Sequence, residues 1–266
     1  MLKNKDMICI SASDWLKPWG SKQHLMSRLS EYNRVLYVEY QASMLDFIKY
    51  PGYFIKRLGN LNKLQKLSRN LYVYTPVLLL PFGYYFNCIN ILNQRILKKH
   101  LLKIIKGLGF EDIILWIYPS SSLALIGNMT ERLSVYHCIA SFSDEKKNPL
   151  RKRMIQRLEN DMARRVNIIF TLTKTLCGRF KKINPNTFYF PSAVDIGHYE
   201  NILSGNTQEP QDMILVKKPR IGIIGYLNGN IMDIGLIEYL ADYKKDWSIV
   251  MIGPVFKGWG KMKKLK

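Results

Sequence analysis

The sequence predicts an α/β fold, with one complete doubly wound parallel-sheet domain followed by the first β-α-β unit of a second. Short runs of β-branched and aromatic residues alternate with amphipathic helical stretches over roughly the first 200 residues. A polar stretch without periodicity follows, and then a new strand, glycine turn, helix and strand begin near residue 220. We therefore assign residues 1–200 to the first domain, 201–218 to a linker and 219–266 to a partial second domain.

The first domain opens with a strand-helix-strand unit. Residues 7–11 and 34–39 are short apolar runs, and each predicts a buried strand. Residues 21–32 between them predict a helix, with Ser21 as its N-cap and its apolar side chains on one face. Short connections of this kind predict a right-handed parallel crossover.

The middle of the domain carries a basic insertion and a long helix. We interpret residues 47–70 as a helical basic insertion and residues 71–76 as a strand. Residues 85–108 have apolar positions at helical spacing, with lysines near the end where the helix dipole favours cations. The fully apolar run 113–118 predicts a buried strand that Pro119 ends.

The remaining elements complete the first sheet and begin the second. The predicted strands are 134–139, 167–173 and 187–191, and the predicted helices are 149–166, opened by Pro149, and 174–183. In the second unit, strands 220–224 and 249–252 flank helix 233–243. In such sheets, ligands bind at the carboxyl ends of the strands.

The composition limits the classes of protein to which the chain can belong. The apolar fraction of 47% is ample for a large core. The four cysteines are scattered without a CxxC pair, which predicts a reduced, cytoplasmic compartment and no structural zinc or other metal. No apolar run reaches the ~18 residues that span a bilayer, and residues 1–6 lead directly into a strand rather than a signal peptide.

The net charge of +20 is unevenly placed. Between Phe47 and Phe110 there are eleven Lys or Arg residues and no Asp or Glu, interleaved with aromatic and aliphatic side chains. Such a segment is a solvated basic face, a site for an anionic membrane surface, or a nucleic-acid site. We carry the membrane interpretation forward for residues 47–106 and do not expect nucleic acid as a partner.

A loop with two tryptophans follows the first predicted strand. Aromatic rings cover the apolar faces of sugars, while Asp14 and Lys17 can reach hydroxyls. A packed structural loop is the equal alternative. The two tryptophans are Trp15 and Trp19. We expect Gln23 and His24, at the start of the next helix, to face the same cleft, and His24 and Asp14 are the candidate catalytic groups.

Other polar residues have more ordinary explanations. His137 lies within a predicted strand, which favours a hydrogen-bonded core residue over a catalytic one. Asp144 and Glu145 form an acidic pair that is either an acid/base pair or charge at the start of the next helix. Asp195 is expected to cap or turn the chain between the domains.

The glycine turn of the second unit contains Gly222, Gly225 and Gly229. This spacing differs from the dinucleotide fingerprint, so it does not support a redox cofactor. It does allow backbone N–H groups to approach phosphate. No P-loop, zinc-protease or nucleophile-elbow motif occurs.

Several segments, taken in order along the chain, follow the pattern of a known family. They are the opening ISASDWLKPWGSKQHLMSRLSEYNRVLYVEY, the later segments ILWIYPS, VYHCIASFSD, RLENDMARRVNIIFTLTKTL and FYFPSAVDIGHYE, and the stretch from Lys218 to Pro254. Together they resemble GT-B glycosyltransferases of the family-4-like group. The opening resembles the start of the first domain of these enzymes, the later segments resemble strand ends and the segment that crosses between domains, and the last stretch resembles the first unit of their nucleotide-sugar domain.

The resemblance implies transfer of a sugar from a nucleotide-sugar donor to a glycan or lipid-linked acceptor in cell-surface glycan synthesis. It implies that the donor is a substrate rather than a cofactor and that no metal is bound. It also implies that Gly225, Tyr226 and Leu227 form the donor-side loop. The residues that it places on the acceptor side are Asp14, Trp15, Trp19, Gln23 and His24. A location at the inner face of the membrane agrees with the basic segment.

The sequence also departs from the family pattern. Ala140 and Ser141 stand where relatives carry an acidic pair, and the E-x7-E region that grips the donor does not occur before Lys266. We therefore expect a fragment or a truncated, inactive form. The alternatives are a non-catalytic remnant that keeps acceptor or membrane affinity, and an unrelated nucleotide-binding α/β protein.

Overall fold

The structure, a computed structural model, describes residues 2–16, 19–49, 51–83, 85–141, 148–205, 207–229 and 232–255. The chain divides into two compact units, Met1–Ala193 and Val194–Lys266. Lys17, Asp144 and Glu145 lie outside the described residues.

Eight strands of the described residues form one sheet in the first unit, in the order β3-β4-β2-β1-β5-β6-β7-β8. All neighbouring strands are parallel except the pair β3 and β4 at one edge. The strands are β1 (Asp6–Ile10), β2 (Arg34–Val38), β3 (Lys63–Lys66), β4 (Leu71–Thr75), β5 (Ile113–Ile117), β6 (Glu131–Cys138), β7 (Ile168–Thr171) and β8 (Thr187–Tyr189).

Helices cover both faces of this sheet. They are α1 (Ser21–Ser30), α2 (Met44–Lys49), α3 (Pro51–Leu58), α4 (Asn87–Leu108), α5 (Pro149–Arg165) and α6 (Lys174–Lys181), with a 3₁₀ helix at Ser120–Leu125. One core packs α4, α5 and α6 on Ile8, Leu36 and Leu115. The opposite core packs α1 through Met26 on Met7 and Tyr37. The predicted doubly wound fold class is confirmed.

Two local predictions were wrong. Residues 47–70 are not helical throughout, because 63–66 form the antiparallel edge strand β3. Asn62, in the left-handed region with φ 57°, turns the chain into that strand, and its lysines are typical of a protected sheet edge. The N-cap of α1 is Gly20 rather than Ser21, and the Gln23 Oε1 accepts from the Gly20 N–H at 3.1 Å.

The second unit contains the predicted β-α-β arrangement. Its elements are α7 (Ile196–Leu203), α8 (Gln211–Ile214), β9 (Arg220–Ile224), α9 (Ile234–Tyr243) and β10 (Ser248–Ile252), and β9 and β10 are parallel. Asp233 caps α9 by accepting from the Leu236 N–H at 3.0 Å. The stretch 201–218 contains the end of α7 and the single-turn α8. Asp195 is the N-cap residue of α7.

Candidate functional site

The strand order places a topological switch point between β1 and β5. The chain runs from β1 to β2 on one side and returns later to β5 on the other. Open α/β sheets bind ligands in the crevice at such a point, outside the carboxyl ends of the strands. The Tyr118 N–H donates to the Ile10 carbonyl at 3.0 Å, so the segments that follow β1 and β5 meet there.

Three hydroxyl groups gather at the end of β1. The hydroxyls of Ser11 and Tyr37 are hydrogen-bonded at 2.6 Å, and the Ser13 hydroxyl lies 3.3 Å from the Tyr37 oxygen. Burial raises the pKa of Tyr37 well above its ordinary value, so the phenol stays protonated. No motif in the sequence singles out these serines, and the signal that points to them is their position directly after the first strand.

Asp14 is held by an arginine from the basic insertion. Its carboxylate forms an ion pair with the Arg57 guanidinium, and both side chains are buried. Arg57 also donates to the Tyr40 carbonyl. The pair fastens α3 to the loop after β1, and a role for Asp14 in proton transfer stays a prediction.

Trp15 is a buried part of the framework rather than an open platform. Its ring meets Tyr37 edge-on at 4.9 Å, and its N–H group on the backbone donates to Glu39 Oε1 at 2.8 Å. Gln23 is buried too, and its Nε2 donates to the Asp14 carbonyl at 3.0 Å. These contacts fix the shape of the loop.

Trp19 and His24 are the solvent-exposed side chains of the group that packs around Trp15. Trp19 is half exposed, and its ring lies 5.1 Å from Trp15 and 5.2 Å from His24. Arg28 lies one turn on, with Nη1 3.4 Å from His24 Nδ1. The structure thus brings the five predicted acceptor-side residues together, and only Trp19 and His24 of the five are exposed.

His137 lies inside an aromatic cluster near the same edge. Its ring stacks on Tyr118 at 5.0 Å and lies 5.7 Å from Trp116 and 6.1 Å from Phe190. The prediction of a core position is right, but neither ring nitrogen has a hydrogen-bond partner among the described residues. Burial lowers the pKa of His137 to about 4, with Lys22 adding to the effect.

This environment makes the first unit sensitive to acid. The folded pKa lies below the ordinary value, so the unfolded chain binds the proton more readily, and stability is lost as pH falls from about 6.5 towards 4. At pH 4.5 the expected loss from this residue is about 2–3 kcal/mol relative to pH 7. Urea unfolding of the wild type and His137→Phe at both pH values measures it, because the variant lacks the titrating group. An equal pH dependence in the two proteins would contradict the assignment.

The second unit places its glycine turn against the segment after β10. The Gly225 N–H donates to the Ile252 carbonyl and the Leu227 N–H to the Pro254 carbonyl, both at 3.0 Å. A Cβ on Gly253 would lie 1.8 Å from the Gly225 oxygen, so this approach requires glycine. Leu227 is buried and Tyr226 is half exposed, so Tyr226 offers the accessible side chain of the predicted donor-side loop.

The structure gives no sign of a metal centre in the described part of the chain, where no group of three His, Cys, Asp or Glu side chains is arranged to hold an ion. Within the same residues, no helix combines the length and apolar character that crossing a bilayer requires.

No family model matches the sequence, and no curated protein matches it. Solved structures do match. An α,α-trehalose-phosphate synthase (UDP-forming) from Burkholderia vietnamiensis is 12% identical, with TM-score 0.59 over 96% of this chain and 64% of its own. HepE from Anabaena, in complex with UDP and glucose, is 14% identical, with TM-score 0.59 over 97% of this chain and 63% of its own. A putative UDP-N-acetylglucosamine 2-epimerase from Listeria monocytogenes is 9% identical, with TM-score 0.52 over 98% and 65%.

The chain therefore spans slightly less than two thirds of the length of these three proteins. Likeness at this level of identity shows a shared fold, and it runs through both units. The fold of the chain is that of the GT-B glycosyltransferases, as the sequence resemblance predicted.

Proposed function

We propose that this protein transfers a sugar from a nucleotide-sugar donor to a polysaccharide or glycolipid acceptor in cell-surface glycan synthesis. The observation that carries the proposal is the turn after β9, where Gly253 and Gly225 pack backbone to backbone. Glycine at these two positions leaves no Cβ between the turn and the segment after β10, and the amino terminus of α9, whose N–H groups and dipole attract a diphosphate, follows the turn.

Each unit has its own part in this proposal. Gly225, Tyr226 and Leu227 line the donor side, where backbone dipoles stabilise the departing diphosphate without a bound metal. Trp19 and His24 line the acceptor side, with Asp14, Trp15 and Gln23 as their buried support. His24 is the better placed of the two candidate acid/base groups, because it is exposed while Asp14 is paired with Arg57.

The fold by itself does not select the reaction, since one of the similar structures is titled as an epimerase. The expectation that the chain is inactive stays a proposal. A binding measurement does not require turnover and is therefore the better readout. Equilibrium binding of UDP, ADP and GDP and their sugars, with NAD and ATP as comparison ligands, tests the donor class. We expect a nucleoside diphosphate or its sugar to bind more tightly than NAD and ATP. Preference for NAD or ATP would support an unrelated nucleotide-binding protein.

We also propose that the protein rests on an anionic membrane surface, but the structure changes which residues are candidates. Arg57 is buried, and the Lys98 Nζ donates to Asn128 Oδ1 at 2.9 Å. The exposed basic residues of α4 are spaced three or four apart and so share one helix face; they are Arg95, Lys99, Lys103 and Lys106. Each contributes about 1 kcal/mol near an anionic surface.

Charge reversal tests this surface. Lys99→Glu, Lys103→Glu and Lys106→Glu together should lower partition onto phosphatidylserine vesicles at least tenfold, which is about 1.4 kcal/mol of the basic contribution. Vesicle flotation measures the bound fraction. Reversal of Lys174, Lys181 and Lys182, which are exposed on and after α6, makes the same change in net charge as a control. An equal effect of the two triple variants would contradict docking through α4.

A further inference from the structure

A separate pocket lies at the carboxyl edge of the sheet, beside the switch point. It has a volume of about 120 Å³ and lies between the segments that follow β2 and β4, with the first turns of α4 and Ser121 completing it. The two segments are tied together, because the Met44 N–H donates to the Leu79 carbonyl at 3.1 Å and the Leu79 N–H to the Ala42 carbonyl at 2.9 Å. The pocket is therefore formed before any ligand arrives.

Amide side chains line the inner wall, and nearly all of them are committed to the protein. Gln41 Nε2 donates to the Ser122 hydroxyl at 2.9 Å, Gln94 Nε2 to Gln41 Oε1 at 2.7 Å, and Asn90 Nδ2 to the Ser121 carbonyl at 2.9 Å. The exception is Gln94 Oε1, which has no hydrogen-bond partner in the described part of the chain although the side chain is only 2% exposed. A buried acceptor without a donor is costly, and a ligand hydroxyl supplies that donor once the Gln94 amide turns towards the pocket.

The outer wall is aromatic. The rings of Phe82 and Tyr85 are about half exposed, their centroids are 6.4 Å apart, and the Arg151 guanidinium lies 5.8 Å from the Tyr85 centroid. Exposed rings next to fixed polar groups suit the apolar face of a sugar ring.

The charges of the pocket disfavour an anion. Asp46 Oδ2 accepts from the Ser43 N–H at 2.8 Å and from the Tyr40 hydroxyl at 3.2 Å, so the described lining contains one carboxylate as well as the guanidinium of Arg151. The two formal charges cancel, so a neutral hydroxyl-rich ligand fits better than a phosphate. The volume is below the roughly 300–1,000 Å³ typical of pockets for drug-sized ligands, so the pocket is too small to enclose a nucleotide-sugar and the ligand to consider is a single sugar ring.

We propose that this pocket binds one neutral sugar unit of the acceptor glycan, next to the unit that reacts; the inference rests on the proposed glycosyl transfer. Neighbouring strands are about 4.8 Å apart, so the ends of β2 and β4 lie roughly 5–10 Å from β1 along the sheet edge. That separation is spanned by a glycan chain rather than by a free monosaccharide. Binding at a non-reacting unit then helps to place the reacting one.

Saturation-transfer NMR on the 266-residue chain without nucleotide tests the pocket. The probes are the methyl glycosides of glucose, galactose, mannose and N-acetylglucosamine, each at millimolar concentration. We expect saturation of at least one glycoside, and at least a fivefold loss of that signal in Tyr85→Ala and in Gln94→Met. Tyr32→Ala is the matched control, since Tyr32 is exposed to a similar degree but lies between α1 and β2, at the amino end of the sheet.

The proposal is overturned if none of the four glycosides is saturated, or if Tyr85→Ala and Tyr32→Ala retain equal signal. Thermal unfolding checks that each variant is folded. If Gln94→Met does not fold, the comparison of Tyr85→Ala with Tyr32→Ala decides the result, because both tyrosines are exposed. Nucleotide binding without glycoside binding would overturn the proposed sugar pocket but not the proposed glycosyl transfer. Glycoside binding with a preference for NAD or ATP would leave a sugar pocket but defeat the proposed glycosyl transfer.

Discussion

Replacing Arg57 with methionine should destabilise the first unit by about 3–5 kcal/mol, the cost of leaving a buried charge without its partner. Asp14 and Arg57 are both buried, and the guanidinium also donates to the Tyr40 carbonyl. Methionine keeps much of the apolar volume of the arginine stem but offers no donor to either oxygen. Urea unfolding followed by circular dichroism measures the loss, and a unit of this size should lose roughly 2–4 °C in Tm per kcal/mol.

Two further variants make the measurement decisive. Asp14→Asn combined with Arg57→Met removes both charges and should recover part of the stability, as expected for a buried ion pair. Arg132→Met is the matched control, because its ion pair with Asp112 is about 70% exposed on both sides and should contribute at most about 1 kcal/mol. An Arg57→Met loss no larger than the control would show that the pair does not hold the loop.

Gly253→Val should disrupt the second unit and spare the first. The new Cβ would stand 1.8 Å from the Gly225 carbonyl oxygen, and the residue has φ 147°, which L-residues rarely adopt. Backbone strain of this kind costs about 1–3 kcal/mol before the clash is counted. Amide hydrogen exchange should show lost protection in β9 and β10 and unchanged protection in β1 and β5.

Gly222→Val is the control for that experiment. Gly222 lies within β9, its φ is not in the left-handed region, and a Cβ there would meet no atom within 4 Å. Valine also suits an extended strand. Protection in β9 and β10 that survives Gly253→Val would mean that the turn does not depend on the close backbone approach.

Local pattern was enough to predict most of the elements. The run Ile113–Ile117 is fully apolar, and the structure buries it at the centre of the sheet. The glycine turn and the flanking strands of the second unit were also predictable, because the spacing of apolar residues, the turn residues and the helix-capping residue all indicate the same elements. β3 was missed because its four residues, Lys63–Lys66, gain strand character only from pairing with β4.

The site was harder to predict because it is assembled by contacts that are distant in sequence. Asp14 and the tryptophan loop were found from residue type alone, but Arg57 is 43 positions away and looked like one more surface cation. The pocket beside the switch point takes its amides from the segment after β2 and from α4, which follows β4, and no motif joins them. For His137, burial followed from the strand pattern, whereas the missing hydrogen-bond partners depend on its packed neighbours.

The most direct test of the central claim is an amide chemical-shift map of the ¹⁵N-labelled chain titrated with UDP, ADP and GDP. If the second unit carries the donor side of a glycosyltransferase, at least one nucleotide should shift the amides of Gly225, Tyr226 and Leu227 in a saturable way, while those of β1 and β5 stay in place. Saturable shifts confined to the first unit, or none with any of the three nucleotides, would contradict the account.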